Sequence, residues 1–133
     1  MAGYSGTPLA KKLGLKDGFL VQIINQPKEY FNFFHDFPKV EISSNKQNDY
    51  DFIHIFSKDK YQLDEIVPLM KNKIKPTGII LISWPKKSSG VEANISGNDV
   101  RSIGLAHGLV DIKVCAVSEV WSGLKFVIPV KER

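Results

Sequence analysis

Hydrophobic residues in this chain fall into short continuous runs separated by stretches of helical periodicity, the pattern of a sheet covered by helices on both faces. Residues 19–24, Phe-Leu-Val-Gln-Ile-Ile, are nearly all apolar and end at Asn25-Gln26-Pro27, which predicts a buried strand. Ahead of them Thr7 and Pro8 open a short helix in which Leu9 and Leu13 share a face. Thr7 is its expected cap, and Gly14 with Leu15 its expected Schellman ending. An aromatic-rich helix over 28–35 and a brief edge strand over 39–42 follow, then a polar loop over 43–50.

The strongest signal lies between residues 51 and 84. Residues 51–56 form a second buried run, and Leu63, Ile66, Val67, Met70 and Ile74 then recur at helical spacing. Lys75-Pro76-Thr77-Gly78 predicts a turn before the apolar run 79–84, so the stretch is a βαβ unit with a right-handed crossover. Pro68 interrupts the helical pattern and predicts a kink or an unbonded carbonyl. After the polar segment 86–96, Asn98 is placed to cap a helix that runs to His107 and closes at Gly108. Strands over 110–117 and 124–130 are joined by residues 118–123, too short a connection for a parallel crossover, and therefore form an antiparallel hairpin. The predicted sheet order is 39–42, 19–24, 51–56, 79–84, 124–130, 110–117, with 124–130 alone antiparallel. This is an α/β, Rossmann-like, three-layer fold with a mostly parallel sheet ending in a hairpin.

Composition narrows the setting. A length of 133 residues with 43% hydrophobic content supports one core, so residues 1–133 are expected to form a single Rossmann-like domain. The start of the chain lacks the basic-then-apolar pattern of a secretory signal, and no apolar run approaches the roughly 20 residues of a membrane span. A cytoplasmic protein without a membrane partner is expected. The single cysteine, Cys115, reads as an inert core thiol in a buried strand. The net charge of +4 is spread without a dense basic block, which points away from nucleic acid and toward an anionic small molecule as partner. His35, His54 and His107 are far apart with no ligand spacing, so no metal is expected. His54, between Phe52 and Phe56, reads as a hydrogen-bonded core imidazole, and His107 as a helix-end residue facing the carbonyl terminus.

Residues 9–18, Leu-Ala-Lys-Lys-Leu-Gly-Leu-Lys-Asp-Gly, resemble the lead-in to the first strand of a class I methyltransferase, and 75–84, Lys-Pro-Thr-Gly-Ile-Ile-Leu-Ile-Ser-Trp, resemble the turn and fourth strand of that fold. The motifs Gly-Tyr-Ser-Gly-Thr-Pro-Leu at 3–9, Ser-Trp-Pro-Lys-Lys at 83–87 and Trp-Ser-Gly-Leu-Lys at 121–125, with Val114-Cys115-Ala116 and Glu119, resemble a bacterial family known as a domain of unknown function. That family implies no activity. The chain departs from the methyltransferase pattern after the first predicted strand, where glycines would let the backbone approach the cofactor and Asn25, Gln26, Pro27, Lys28 and Glu29 stand instead. Glu41 lies near the offset of the acidic residue that would hold a ribose.

Open α/β sheets bind ligands beyond the carboxyl ends of their strands. The predicted topology brings three segments to that rim: 3–7, 84–87 and 118–123. Tyr4, Trp84 and Trp121 offer flat apolar faces; Lys86 and Lys87 offer ammonium groups; Ser5, Thr7 and Ser122 offer hydroxyls; and Glu119 offers a carboxylate. Together they suit an anionic or planar ligand. No Gly-x-Ser-x-Gly elbow or phosphate loop is present, so no catalytic residue is assigned and no cofactor is expected. The leading expectation is a small-ligand-binding, methyltransferase-like domain without the glycine-rich cofactor loop. Two others remain: an active S-adenosylmethionine-dependent transferase with a site rebuilt from Asn25, Gln26 and Glu41, and an interaction module that docks a protein on its aromatic rim.

Overall fold

The computed structural model describes residues 7–47 and 49–133. Six strands, β1 (Leu20–Ile24), β2 (Glu41–Ile42), β3 (Tyr50–Phe56), β4 (Ile74–Pro85), β5 (Val110–Ala116) and β6 (Trp121–Val127), form one sheet in the order β2-β1-β3-β4-β6-β5. β2, β1, β3 and β4 run parallel, and β6 pairs antiparallel to both β4 and β5. This is the predicted order, three-layer and mostly parallel with a closing hairpin.

Alternation along the strands divides the core into two layers. Ile53, Ile55, Ile80, Ile82, Leu124 and Phe126 face the side covered by α2 (Lys60–Lys71) and α3 (Gly97–Ala106). Phe52, Phe56, Leu81 and Cys115 face the other side, which is covered by α1 (Leu9–Leu13) and an aromatic segment around the short 3-10 turn Tyr30–Phe33. The continuous apolar runs follow from this double coverage.

The local chemistry differs from the sequence expectation at several ends. Thr7 does not cap α1: the cap position is Pro8, whose carbonyl accepts the Lys12 N–H, and no side chain bonds there. The other end matches, because Gly14 at φ 87° lets its own N–H reach the Lys11 carbonyl and the Leu15 N–H the Ala10 carbonyl. Residues 28–35 make a single 3-10 turn in place of a helix. Ile74 belongs to β4, and the predicted turn 75–78 is an irregularity within that strand, where the pairing with β3 jumps from Tyr50–Ile74 to Phe52–Ile79. β6 begins at Trp121, three positions before the predicted Leu124, because the Ser118 hydroxyl accepts the Val120 and Trp121 N–H groups and tightens the turn. β5 is an edge strand with one open face, so Val114 is exposed while Cys115 is buried.

Ser96, and not Asn98, caps α3 in a reciprocal capping box: its hydroxyl accepts the Asp99 N–H, and the Asp99 carboxylate accepts the Ser96 N–H at 2.9 Å. That backbone N–H holds the Asp99 carboxyl below its usual range. Replacing Ser96 by Ala should lower the unfolding free energy by about 1 kcal/mol in denaturant titration. A loss below a few tenths would mean that the box is not formed in solution.

Candidate functional site

The sheet order places a topological switch between β1 and β3. The chain leaves β1 toward β2 on one side and leaves β3 toward β4 on the other, so their carboxyl ends flank a crevice. A cavity of about 580 Å³ occupies that crevice. Residues 25–29 form one wall, residues 56–59 with Gln62 of α2 another, and Val91, Val120 and Trp121 close it from the β4 and β6 side.

Asn25, immediately after β1, sits at φ 57°, the described non-glycine residue with a left-handed backbone. Its amide Nδ2 donates to the Phe56 carbonyl at 3.0 Å and to Gln62 Oε1 at 3.2 Å, tying the ends of β1 and β3 to α2. At the start of α2 the Asp59 carboxylate accepts the Tyr61 N–H, and Asn94 supplies three further bonds: its N–H to the Lys58 carbonyl, Oδ1 to the Lys60 N–H and Nδ2 to Asp59. Asn94 thus pins the segment after β4, and Val91 with it, beside the cavity.

Beneath the cavity floor lies a buried polar line. The fully buried His54 ring has Tyr30 Oη 3.1 Å from Nδ1 and Ser83 Oγ 2.8 Å from Nε2, and it stacks on Phe56 with centroids 4.1 Å apart. Phe56 in turn meets Trp121 edge to face. Burial lowers the His54 pKa to about 3, so the ring is neutral, and burial pushes the Tyr30 phenol up. A neutral imidazole donates at one nitrogen and accepts at the other, which suits two flanking hydroxyls. The core reading of His54 matches this geometry. His107 instead bonds Asp64 at 2.8 Å, and His35 is exposed. Among the described residues no group of three or more His, Cys, Asp or Glu side chains could hold a metal ion, and no helix is long and apolar enough to cross a membrane.

The residues singled out in the sequence disperse across the rim. Tyr4 and Ser5 lie outside the described residues, and Thr7 is exposed beside α1. The segments after β4 and before β6 are neighbours, since the Lys86 N–H donates to the Val120 carbonyl and Pro85 pairs with Trp121. Trp84 pairs with Ser122 one position away and therefore faces the α2 and α3 side, whereas Trp121 faces the α1 side and the cavity. The two indoles form no common platform. Lys87 and Glu119 are exposed, Lys86 and Ser122 half-buried, and none of the four lines the cavity. Glu41 pairs with Leu20, at the amino end of β1 and four positions from Ile24. At strand rise this is about 13 Å below the rim. Asn25 and Gln26, the sequence candidates for a rebuilt transferase site, stand in this cavity wall, whereas residues 56–59 carry no signal of their own beyond the end of a buried strand. The reversal of connection direction at β1 and β3, already present in the predicted order, is the signal that marks the crevice.

No family model matches the chain, and no curated protein matches it; the resemblance to an uncharacterised bacterial family rests on its motifs alone. Solved structures do match. A SAM dependent methyltransferase from Aquifex aeolicus superposes with a TM-score of 0.64 at 16% identity, covering 91% of this chain and 88% of that one. A protein assigned to the type 11 methyltransferases from Sulfolobus solfataricus gives 0.62 at 16% identity over 94% and 92%. Magnesium protoporphyrin IX methyltransferase from Synechocystis, solved with bound SAH, gives 0.56 at 9% identity over 85% and 75%. The fold is that of the Rossmann-like methyltransferases.

Proposed function

We propose that this chain is a small-ligand-binding domain on a methyltransferase-like fold that has lost the glycine-rich cofactor loop, and that its anionic or planar ligand occupies the cavity between the carboxyl ends of β1 and β3. The observation that carries this reading is the cavity itself. It lies at the switch point, where such sheets bind ligands, and its volume falls within the ordinary range for small-molecule sites.

S-adenosylmethionine, the cofactor implied by the neighbours, does not fit the residues present. A glycine loop leaves room for backbone to approach a ligand; here the Asn25 side chain spans the gap from β1 to Phe56 and Gln62. Glu41, the sole acidic residue of β2, is too far below the rim to reach a ribose there. These features argue against the rebuilt transferase site of Asn25, Gln26 and Glu41. Calorimetric titration with S-adenosylmethionine is therefore expected to show no binding in the micromolar range, and micromolar binding would overturn the reading. A thermal-shift screen of anionic and planar metabolites should return hits, since a ligand at one hundred times its dissociation constant stabilises a fold by about 2.7 kcal/mol. Hits that persist unchanged when Gln62→Trp fills the cavity would place the ligand elsewhere.

A further inference from the structure

Exposed apolar side chains are unevenly distributed over this surface. Among the described residues five of the nine large hydrophobics left exposed, Leu105, Val110, Ile112, Val114 and Val130, belong to β5 or to the segments beside it, so one edge of the sheet holds most of the apolar surface that the fold leaves open. Register and ion pairing gather four of them into one strip along β5 and α3. Val114 pairs with Leu124, which faces α2 and α3, and therefore points to that side, beyond the cover of α3. Leu105 stands one helical turn after Arg101, whose guanidinium reaches Asp111 of β5 at 2.9 Å, so the side chain at 105 flanks β5 as well. Ile112 is the extra residue in the pairing shift between Asp111 and Lys113 and stays 54% exposed. Val130 follows soon after Val127, the partner of Val110 at the amino end of β5, and Glu132 beyond it reaches Lys71 at the end of α2.

The strand edge itself is guarded. The Lys12 ammonium donates to the Ala116 carbonyl at 3.4 Å, the shift at Ile112 breaks the regular edge, and Lys113 is exposed on it. These devices keep sheet edges from pairing, so what β5 offers a partner is its side chains. At standard residue areas the exposed parts of Leu105, Ile112, Val114 and Val130 come to roughly 400 Å². A stable interface covers about 800 Å² per partner, a little over half of it apolar, so the strip has the apolar area of one such contact.

The charges on the strip select the partner. Arg101 and Asp111 are one cation and one anion, already paired with each other, so a partner of either net charge finds no excess of the opposite sign there. An inverted copy of the same strip fits, because across a two-fold axis each Arg101 can approach the Asp111 of the other copy while apolar side chains meet apolar side chains. We infer that the strip of Leu105, Ile112, Val114 and Val130 around the Arg101–Asp111 pair is the interface of a two-fold symmetric dimer of this chain. None of these residues lines the cavity between β1 and β3, so failure of the ligand reading leaves the dimer untouched.

Sedimentation velocity of the full chain between about 5 and 500 µM should show monomers giving way to dimers, with a midpoint in the micromolar range. Val114→Lys and Leu105→Lys alter side chains that are already exposed, so each variant should keep its circular dichroism spectrum while the dissociation constant rises at least about tenfold. Leu69→Lys, at a similarly exposed position on α2, should leave association unchanged. Charge reversal tests the self-pairing directly. Arg101→Asp makes the strip anionic and Asp111→Arg makes it cationic, and because an exposed ion pair contributes little to the fold, both proteins should fold. Each alone should associate more weakly than the parent, and an equal mixture should form a heterodimer. A parent chain that stays monomeric at about 500 µM overturns the inference, whether or not it captures a different protein. So does a dimer that Leu69→Lys weakens and Val114→Lys does not, or a charge-reversed mixture no more associated than its parts.

Discussion

Lowering the pH from about 6.5 to 4.5 is expected to reduce the unfolding free energy by roughly 2 kcal/mol through His54 alone. The ring is fully buried, and burial lowers its pKa to about 3, whereas in the unfolded chain it titrates near its ordinary value of 6.5. Between those values the unfolded state binds a proton that the folded state refuses. Stability is therefore fully present above pH 6.5 and falls by about 1.4 kcal/mol per unit as the pH drops, until the folded ring itself protonates near pH 3. Measuring above pH 4.5 keeps the capping carboxylate of Asp99, whose own pKa is lowered, from contributing. His54→Gln should be less stable at neutral pH, because Tyr30 and Ser83 lose a well-placed partner. Its denaturation midpoint should nevertheless lose most of this slope. If the wild-type and His54→Gln profiles run parallel between pH 6.5 and 4.5, the ring is not held neutral and the buried line is wrongly described.

Gly104→Ala should destabilise the fold by about 2 kcal/mol, although Ala is the better helix former by about 1 kcal/mol. Gly104 lies inside α3 against β6, and a Cβ there would stand 2.2 Å from Phe126 Cε1 and 2.4 Å from Cζ. The Phe126 ring is fully buried in the layer between the sheet and the two helices, with neighbours on every side, so α3 must move outward or the ring must leave its rotamer. Phe126→Leu creates a void when made alone. Made together with Gly104→Ala it should recover part of the loss, and denaturant titration of the four proteins in the cycle would give a coupling energy above about 0.5 kcal/mol. A Gly104→Ala protein more stable than the parent would mean that α3 and β6 are not packed this closely.

Both predictions turn on contacts between residues far apart in the chain, and this marks the limit of what the sequence could carry. Continuous apolar runs at 19–24, 51–56 and 79–84, with one helical stretch between the latter two, determine parallel strands covered on both faces. A connection of residues 118–123 permits only a hairpin. These rules depend on period and loop length, which are local, so the directions of the βαβ strands and of the hairpin were legible, whereas the insertion of β6 between β4 and β5 followed from the resemblance to the methyltransferase fold. The ends of elements were less legible. Ser96 and Asn98 are both competent caps two residues apart, and the choice falls to the one whose partner at the third helical position is Asp99. The stretch 75–78 has turn chemistry yet stays in β4, because β3 offers a partner on either side of the irregularity.

The candidate site was decided almost wholly by tertiary structure. The tryptophans at 84 and 121 look equivalent in the sequence, but antiparallel register pairs Trp84 with Ser122 and so sends the indoles to opposite faces of the sheet. Asn25, Gln62 and Phe56 meet because β1 and β3 are neighbours, and Asn94 reaches the start of α2 from a segment that has no periodicity of its own. Hydrophobic patterning reports which side of an element is dry. It does not report which residues of different elements come within hydrogen-bonding distance, because that depends on register and on the packing of one layer against the next. The sequence by itself therefore determined the strand directions and the edge on which the candidate site lies, and the folded chain decided which pair of strands opens there.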